Sequence, residues 1–554
     1  MKKEPRSGSI TWLFLLFPWL LKKIYMYNQG LFSHWVPKPL QLFVIFLLTL
    51  IAMPVSGVYT GSLSYMVGDT GVMSEYFMWA NYATTVGMGA AMPIVLRAKM
   101  RFKVRDKIVI LLVLLGIFSY INATTSEPMV IVFVSLILGF CKTFITIEVF
   151  LPLMAMMGGR GIFYGVFYTF ILVITQVTNY YATDFSIEYN WRQFLIFVAI
   201  LCFVVAMICW VVMHDKYFAL KVPLHYIDWL SILLFISTFM FSAYVFSFGK
   251  QQDWFHSKNI LNASIAAFVS FAFMVVRQFT LKRPYLSFEI FSRNNVQVGL
   301  FLLLCLGMFM ATTSLQNIFS VGVLDYDQLT NAKVNLMMIP GMIAAGALAV
   351  YWFKKEKKLK LFIFFGFSAM VAYCIIMYFS MVLEFNYESW YFAMILKGFG
   401  MVALYISVWY YALDKIDISQ MLPAIGLFLL WRTFITTGFF SALFSWTQYQ
   451  FQIESLGDLA VYMDGMTLNA QPNLSIKSIQ LNAMIIANKK LFGYVILAGF
   501  GVLVFVITHH FGYPRFTLDK LVRLFGGKSV VARKRLRERK KLAESLKDGV
   551  GSTL

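Results

Sequence analysis

The chain has 554 residues, 60% of them hydrophobic and only 13% charged, and its 47 Lys and Arg against 26 Asp and Glu leave a formal net charge of +21. A mean hydropathy of +0.73 excludes a string of soluble domains and assigns the chain to the membrane class. The charge does not make it a nucleic-acid binder. Lys and Arg gather in a few short segments on one side of the apolar runs, while Asp and Glu divide almost evenly, which is the positive-inside pattern of a polytopic protein.

In chain order, residues 1–39 carry "ITWLFLLFPWLLKK" around Pro18, too short for a crossing, and read as a cytoplasmic N-terminus with an interfacial apolar segment. Fourteen apolar runs then predict an all-α polytopic membrane protein, because a lipid core requires each crossing to satisfy its own backbone. They lie at 40–66, 75–96, 108–124, 128–154, 161–183, 193–213, 227–247, 259–276, 297–321, 333–353, 359–382, 389–413, 421–446 and 490–508. The stretch "VLRAKMRFKVRDKIVI" at 95–110 becomes the cytoplasmic loop between spans two and three. Together with "FKKEKKLK" at 353–360 and "RKRLRERKK" at 533–541 it reads as a topology signal in contact with anionic headgroups. Spans seven and eight sit between basic segments, giving a 6+2+6 arrangement. Residues 40–214 form a first six-helix bundle, 215–281 an inserted two-helix segment, 282–510 a second six-helix bundle with a long outer loop at 447–489, and 511–554 a basic cytoplasmic tail.

Four ionisable residues fall inside predicted spans: Lys142, Glu148, Lys397 and Arg432. A charge at mid-bilayer costs at least about 2.5–3.5 kcal/mol, so these side chains are expected to point into the protein. Lys142 and Glu148 lie about 240° apart around one helix and are expected to find different partners. Glu148, and Lys142 beside it, are candidates for proton coupling or gating, with a structural ion pair as the competing role of the carboxylate. Lys397 and Arg432 are candidates for anion recognition in an internal cavity, since three deep cations outnumber one acid. Asn81, Tyr82, Gln176, Asn179, Gln316, Asn317 and Asn335 are polar candidates for the same cavity or for helix-to-helix hydrogen bonds.

Other chemistry has little support in the residues. Five cysteines, Cys141, Cys202, Cys209, Cys305 and Cys374, all lie in apolar runs, where they act as small hydrophobes. The six histidines are scattered without metal-ligand spacing, and no phosphate-cradling glycine loop occurs, so no enzyme activity, metal or cofactor is expected.

Several stretches, taken together, resemble the fourteen-span drug:proton antiporters of the major facilitator superfamily. They are "YNWRQFLIF" at 189–197, "KRPYLSFEIFSRNNVQVGLF" at 282–301, "LQNIFSVGVLDYDQLTNAKVNLMMIPG" at 315–341, "LKGFG" at 396–400 and "WRTFITTG" at 431–438. The loop at 95–110 keeps the basic part of the family's gating motif in Arg97, Arg101 and Arg105, with Leu96 and Met100 where the family has Gly and Asp. The first span lacks the family's Asp, Ser135 stands where it has an Arg, and its glycine-rich antiporter signature reads "ITQVTNYY" here. The resemblance implies a major facilitator fold and alternating access around a central cavity. It further implies export of small amphiphilic compounds coupled to protons across the plasma (inner) membrane, with a periplasmic adaptor protein as a possible partner. A transport-inactive sensor or assembly partner is the alternative reading, and an intramembrane enzyme a more distant one.

Overall fold

In a computed structural model the described residues run from 31 to 511, apart from 34, 53–58, 60, 157–159, 216–226, 282–284, 286–287, 356, 384, 415, 417, 461–471 and 510. The N-terminal apolar segment and nearly all of the basic tail therefore lie outside the described residues. Seventeen α-helices make up the described part. They are α1 Lys38–Ala52, α2 Leu63–Thr70, α3 Ser74–Arg101, α4 Val104–Thr124, α5 Pro128–Met156, α6 Arg160–Glu188 and α7 Trp191–Val212. There follow α8 Trp229–Phe248, α9 Lys258–Thr280, α10 Asn294–Gly322, α11 Gln328–Leu336, α12 Met338–Lys354, α13 Leu359–Ser380 and α14 Tyr391–Ala412. The last three are α15 Ile418–Thr433, α16 Ser441–Ala460 and α17 Pro472–Thr508, with a π-helical turn, Phe434–Phe440, between α15 and α16.

Twelve helical segments among the described residues are long and apolar enough to cross a membrane, fewer than the fourteen expected. The first expected span is represented by the short apolar stretch Pro39–Ile51 and by α2. The second, α3, has the length at 28 residues, but Glu75, Asn81, Lys99 and Arg101 dilute its apolar character. Two further expectations change. The tenth span breaks into α11 and α12 at Met337. The outer loop expected at 447–489 is helical over much of its length, because α16 continues to Ala460 and α17 begins at Pro472. Those extensions are tied together by Lys490 on Glu454 at 3.2 Å and by burial of Gln448, Ser455 and Asn488.

Contacts divide the chain into Met1–Leu503 and Val504–Leu554. Within the second unit, the described residues form the end of α17 and a ring stack of Phe505 on His509 at 5.2 Å. Within the first, the closest helix pairs are built on glycine. A methyl group on Gly87 of α3 would lie 2.0 Å from the Leu136 carbonyl oxygen of α5, and one on Gly139 of α5 would lie 1.8 Å from that of Thr84. Helices α12 and α14 repeat the arrangement: Gly341 would meet the Ile395 oxygen at 1.9 Å and Gly398 the Met338 oxygen at 2.2 Å. Thr84 and Gly87 correspond to Met338 and Gly341, and Leu136, Gly139 and Phe140 to Ile395, Gly398 and Phe399, with the same spacing on each helix. The two parts of the chain thus share one packing unit, in which small residues let backbones touch as membrane helices require. Helix α4 closes on α5 and α7, and α13 on α14.

The two repeats meet where α6 packs on α12 and α14, and where α3 packs on α15. Again glycine permits the approach, with Gly346 against Thr169 and Gly89 against Leu430. Helices α8 and α9 form a pair beside α3, held by the Trp79 indole donating to the Met240 carbonyl at 3.1 Å and by rings at Tyr76, Tyr244 and Phe248. The outward face of α9 carries Phe268, Phe273 and Phe279, as a lipid-facing surface would.

Local ties explain two of the sequence motifs. In "YNWRQF" the Asn190 side chain caps α7 by accepting from the Arg192 N–H. Arg192 then donates to Asp69 at 2.8 Å, to the Ala123 carbonyl at 3.0 Å and to Ser126 at 2.9 Å, while the Trp191 indole reaches the same Asp69 oxygen. Ahead of α8, Asp228 takes a two-pronged grip from Arg277 of α9 at 2.8 and 2.9 Å and accepts from Ser231. Arg277 holds the Asp228 carboxyl below its ordinary value. A carboxylate lowered on folding stabilises the folded state above its unfolded value of about 3.9 and loses that contribution as pH falls through the lower folded value. Acidification of detergent-solubilised protein below about pH 4 is therefore expected to expose the α8/α9 pair to limited proteolysis, and Asp228→Asn to make it equally accessible at neutral pH.

Candidate functional site

Glu148 lies on α5, 1% exposed, and each of its oxygens meets a lysine. Lys99, in the last turn of α3, stands 3.1 Å from Oε2, and Lys107, in the first turn of α4, donates to Oε1. The basic stretch at 95–110 thus turns two of its cations inward. Arg105 and Lys103 of the same stretch bind Asp215 after α7 at 3.3 and 3.2 Å. Arg97 is half-buried and Arg101 exposed. This network ties α3, α4, α5 and the end of α7 at their basic end.

A second cluster draws its residues from α5, α6, α14 and α15, of which α6 packs on α14. Arg432 is the penultimate residue of α15, two residues before the π-helical turn begins at Phe434, a distortion often found at functional sites. Its guanidinium lies over the Tyr405 ring at 4.5 Å, and among the described residues no carboxylate pairs with it. Lys142, buried on α5, is within electrostatic range of Arg432. So is Tyr168 of α6, which has Tyr164 and Tyr405 about it. Tyr168 packs on Trp409 at 5.6 Å, and Trp409 on Phe428 at 5.6 Å. The Trp409 indole N–H is buried and makes no hydrogen bond among the described residues. The cluster therefore combines two cations, phenol groups and an unused donor within aromatic walls, contributed by helices from both repeats. Such a set suits an acceptor-rich, negatively charged group attached to an apolar body.

Lys397 is not part of that cluster. It is fully buried on α14 and donates to Thr313 Oγ1 at 2.9 Å, Gln316 Oε1 at 3.3 Å and Tyr373 OH at 3.2 Å. Gln316 continues to Asn335 at 3.3 Å, and Asn317 accepts from Asn331 at 3.0 Å. These residues belong to a hydrogen-bonded network inside α10, α11, α13 and α14, the helix-to-helix role rather than a cavity wall.

The remaining polar candidates are divided. Tyr82 is buried and packs its ring at a tilt against Phe434, the first residue of the π-helical turn, at 5.6 Å, which puts it near the cationic cluster. Asn81 and Gln176 are half-buried on α3 and α6. Asn179 faces Gly61, where a methyl would lie 2.6 Å from its carbonyl oxygen. Ser135, on α5, bonds Tyr59, which also accepts from Asn122. Sequence reading missed Lys99, Lys107, Tyr168, Tyr405 and Trp409. The lysines carried a signal, since each sits at the inner edge of an apolar run; the aromatic residues carried none among so many rings.

No protein-family model matches the chain, and no curated protein matches it. Solved structures do. A POT family transporter in complex with a thioalcohol-conjugated peptide superposes with a TM-score of 0.51 at 12% identity, covering 84% of this chain and 96% of that one. A mutant of the nucleoside transporter NupG gives 0.47 at 13% identity over 83% and 99% of the two chains. The human organic anion transporter MFSD10 (TETRAN) gives 0.45 at 12% identity over 83% and 97%. The likeness to the POT structure is one of fold. This chain is an all-helical, multi-pass membrane protein with the major facilitator fold.

Proposed function

We propose that the protein is a secondary transporter that exports small amphiphilic anions by alternating access, coupled to protons and working in the plasma membrane with its basic loops inside. The observation that supports the anion is Arg432, which lies between the two repeats without a carboxylate among the described residues and has Lys142 close by. In the low-dielectric interior that positive charge would draw a carboxylate, sulfonate or phosphate, while Tyr168, Tyr405, Trp409 and Phe428 would part to accept an apolar body. Rocking of one repeat against the other would turn this cluster from side to side. Glu148 serves in this reading as a latch at the basic end, clamped by Lys99 and Lys107, the gating role of the two expected for it.

Vesicles containing the protein test this with a fluorescent aryl sulfonate and an aryl quaternary ammonium of equal size. The sulfonate is expected to be the transported member, and Arg432→Gln to lower its transport about tenfold or more, the worth of one charge-assisted hydrogen bond. A preference for the ammonium would overturn the reading.

A further inference from the structure

Lys397 is the deep cation that the anion site leaves unused, and its surroundings differ from those of the other buried charges. Glu148 is held by two lysines, so adding a proton to it strands two ammonium groups. The groups that the Lys397 ammonium meets are neutral: Thr313 and Gln316 on α10, and Tyr373 and Cys374 on α13. Among the described residues no carboxylate lies within ion-pair distance of its Nζ. Three acceptors match the three N–H bonds of an ammonium. If the proton leaves, Nζ becomes an acceptor, and the Tyr373 hydroxyl, which accepts from Nζ and donates to Gln316 Oε1 at 3.5 Å, can turn its O–H to Nζ instead. Neither state abandons a charged partner.

We propose that Lys397, rather than Glu148, carries the coupling proton. The inference rests on the proton-coupled reading above. A link to the substrate is available along α14: Tyr405 lies eight residues beyond Lys397 on the same helix, a rise of about 12 Å. Movement of α14 that opens the Lys397 pocket to water also displaces the ring on which Arg432 rests.

The test uses full-length protein in liposomes, with the aryl sulfonate as probe. Two quantities are followed: probe exchange without a pH gradient, and proton movement on adding probe, read by a pH-sensitive dye. Lys397→Met is expected to keep exchange and lose proton movement. Lys397→Arg, which retains the charge and donors but holds its proton permanently, serves if the methionine variant fails to fold and is expected to behave the same way. Probe-driven proton movement equal to wild type in either variant overturns the assignment and leaves coupling intact. Exchange by the wild type with no proton movement overturns coupling itself, and the Lys397 assignment with it. A probe-independent arm titrates purified protein below about pH 9, where an ordinary lysine holds its proton. The Lys397→Met protein is expected to release one proton fewer, and equal release also overturns the proposal.

Discussion

Valine at Gly139 is expected to prevent accumulation of folded protein, and valine at Gly398 to do the same. The first methyl carbon alone would lie 1.8 Å from the Thr84 carbonyl oxygen in one case and 2.2 Å from that of Met338 in the other. Neither contact is with the tip of a flexible side chain. Backbone must move, so α3 and α5, or α12 and α14, have to separate along their closest contact. Overpacking that side chains can absorb costs about 1–3 kcal/mol, and displacing a helix backbone should exceed that range. Gly501→Ala makes the control, since nothing lies within 4 Å of a methyl there. It should leave stability unchanged or raise it slightly, because glycine inside a helix costs about 0.5–1 kcal/mol relative to alanine. Fluorescence-detected size exclusion of the three variants, followed by thermal unfolding in detergent, checks the ranking. A Gly139→Val protein that elutes and melts like wild type would mean that α3 and α5 do not touch as described.

That prediction also marks a limit of reading the chain directly. The helices themselves were legible, because lipid leaves the backbone no other partner and an apolar run of about 20 residues has one reading. Helix ends were not. The π-helical turn at Phe434–Phe440 and the extension of α16 to Ala460 arise from packing against α10 and from ties such as Lys490 to Glu454, which hydropathy does not see. The glycine pairs were visible in principle, since "LILGFCK" and "ILKGFGM" place Gly-Phe at matching points of two helices, but only the structure shows carbonyl oxygens beneath them. Lys142 and Arg432 were each picked out as too deep for lipid. Their convergence depends on α3 packing against both α5 and α15, helices nearly three hundred residues apart in the chain, and no local pattern encodes it.

Lys99 and Lys107 illustrate a different obstacle. A lysine at the end of a span satisfies the positive-inside rule equally well in water, on a headgroup or on a buried carboxylate, so its role is decided by the third helix that approaches. Here α5 brings Glu148, and the three groups together carry a net charge of one positive unit. Removing Lys107 reduces that to zero and leaves Lys99 on the carboxylate. Removing the charge of Glu148 raises it to two positive units, both buried and side by side. Breaking a buried pair from one side typically costs about 3–5 kcal/mol, whereas replacing all its members with apolar groups of similar size is often neutral. Thermal unfolding should therefore rank Glu148→Gln as the most damaging single change, Lys107→Met as milder, and the triple variant Lys99→Met, Lys107→Met, Glu148→Leu as near wild type. The ordering separates two roles for the carboxylate. A proton carrier spends part of each cycle neutral, and glutamine would copy one of its working states at little cost in stability. A latch works through its charge throughout, so a Glu148→Gln protein as stable as wild type would remove the clamp at the basic end from the mechanism.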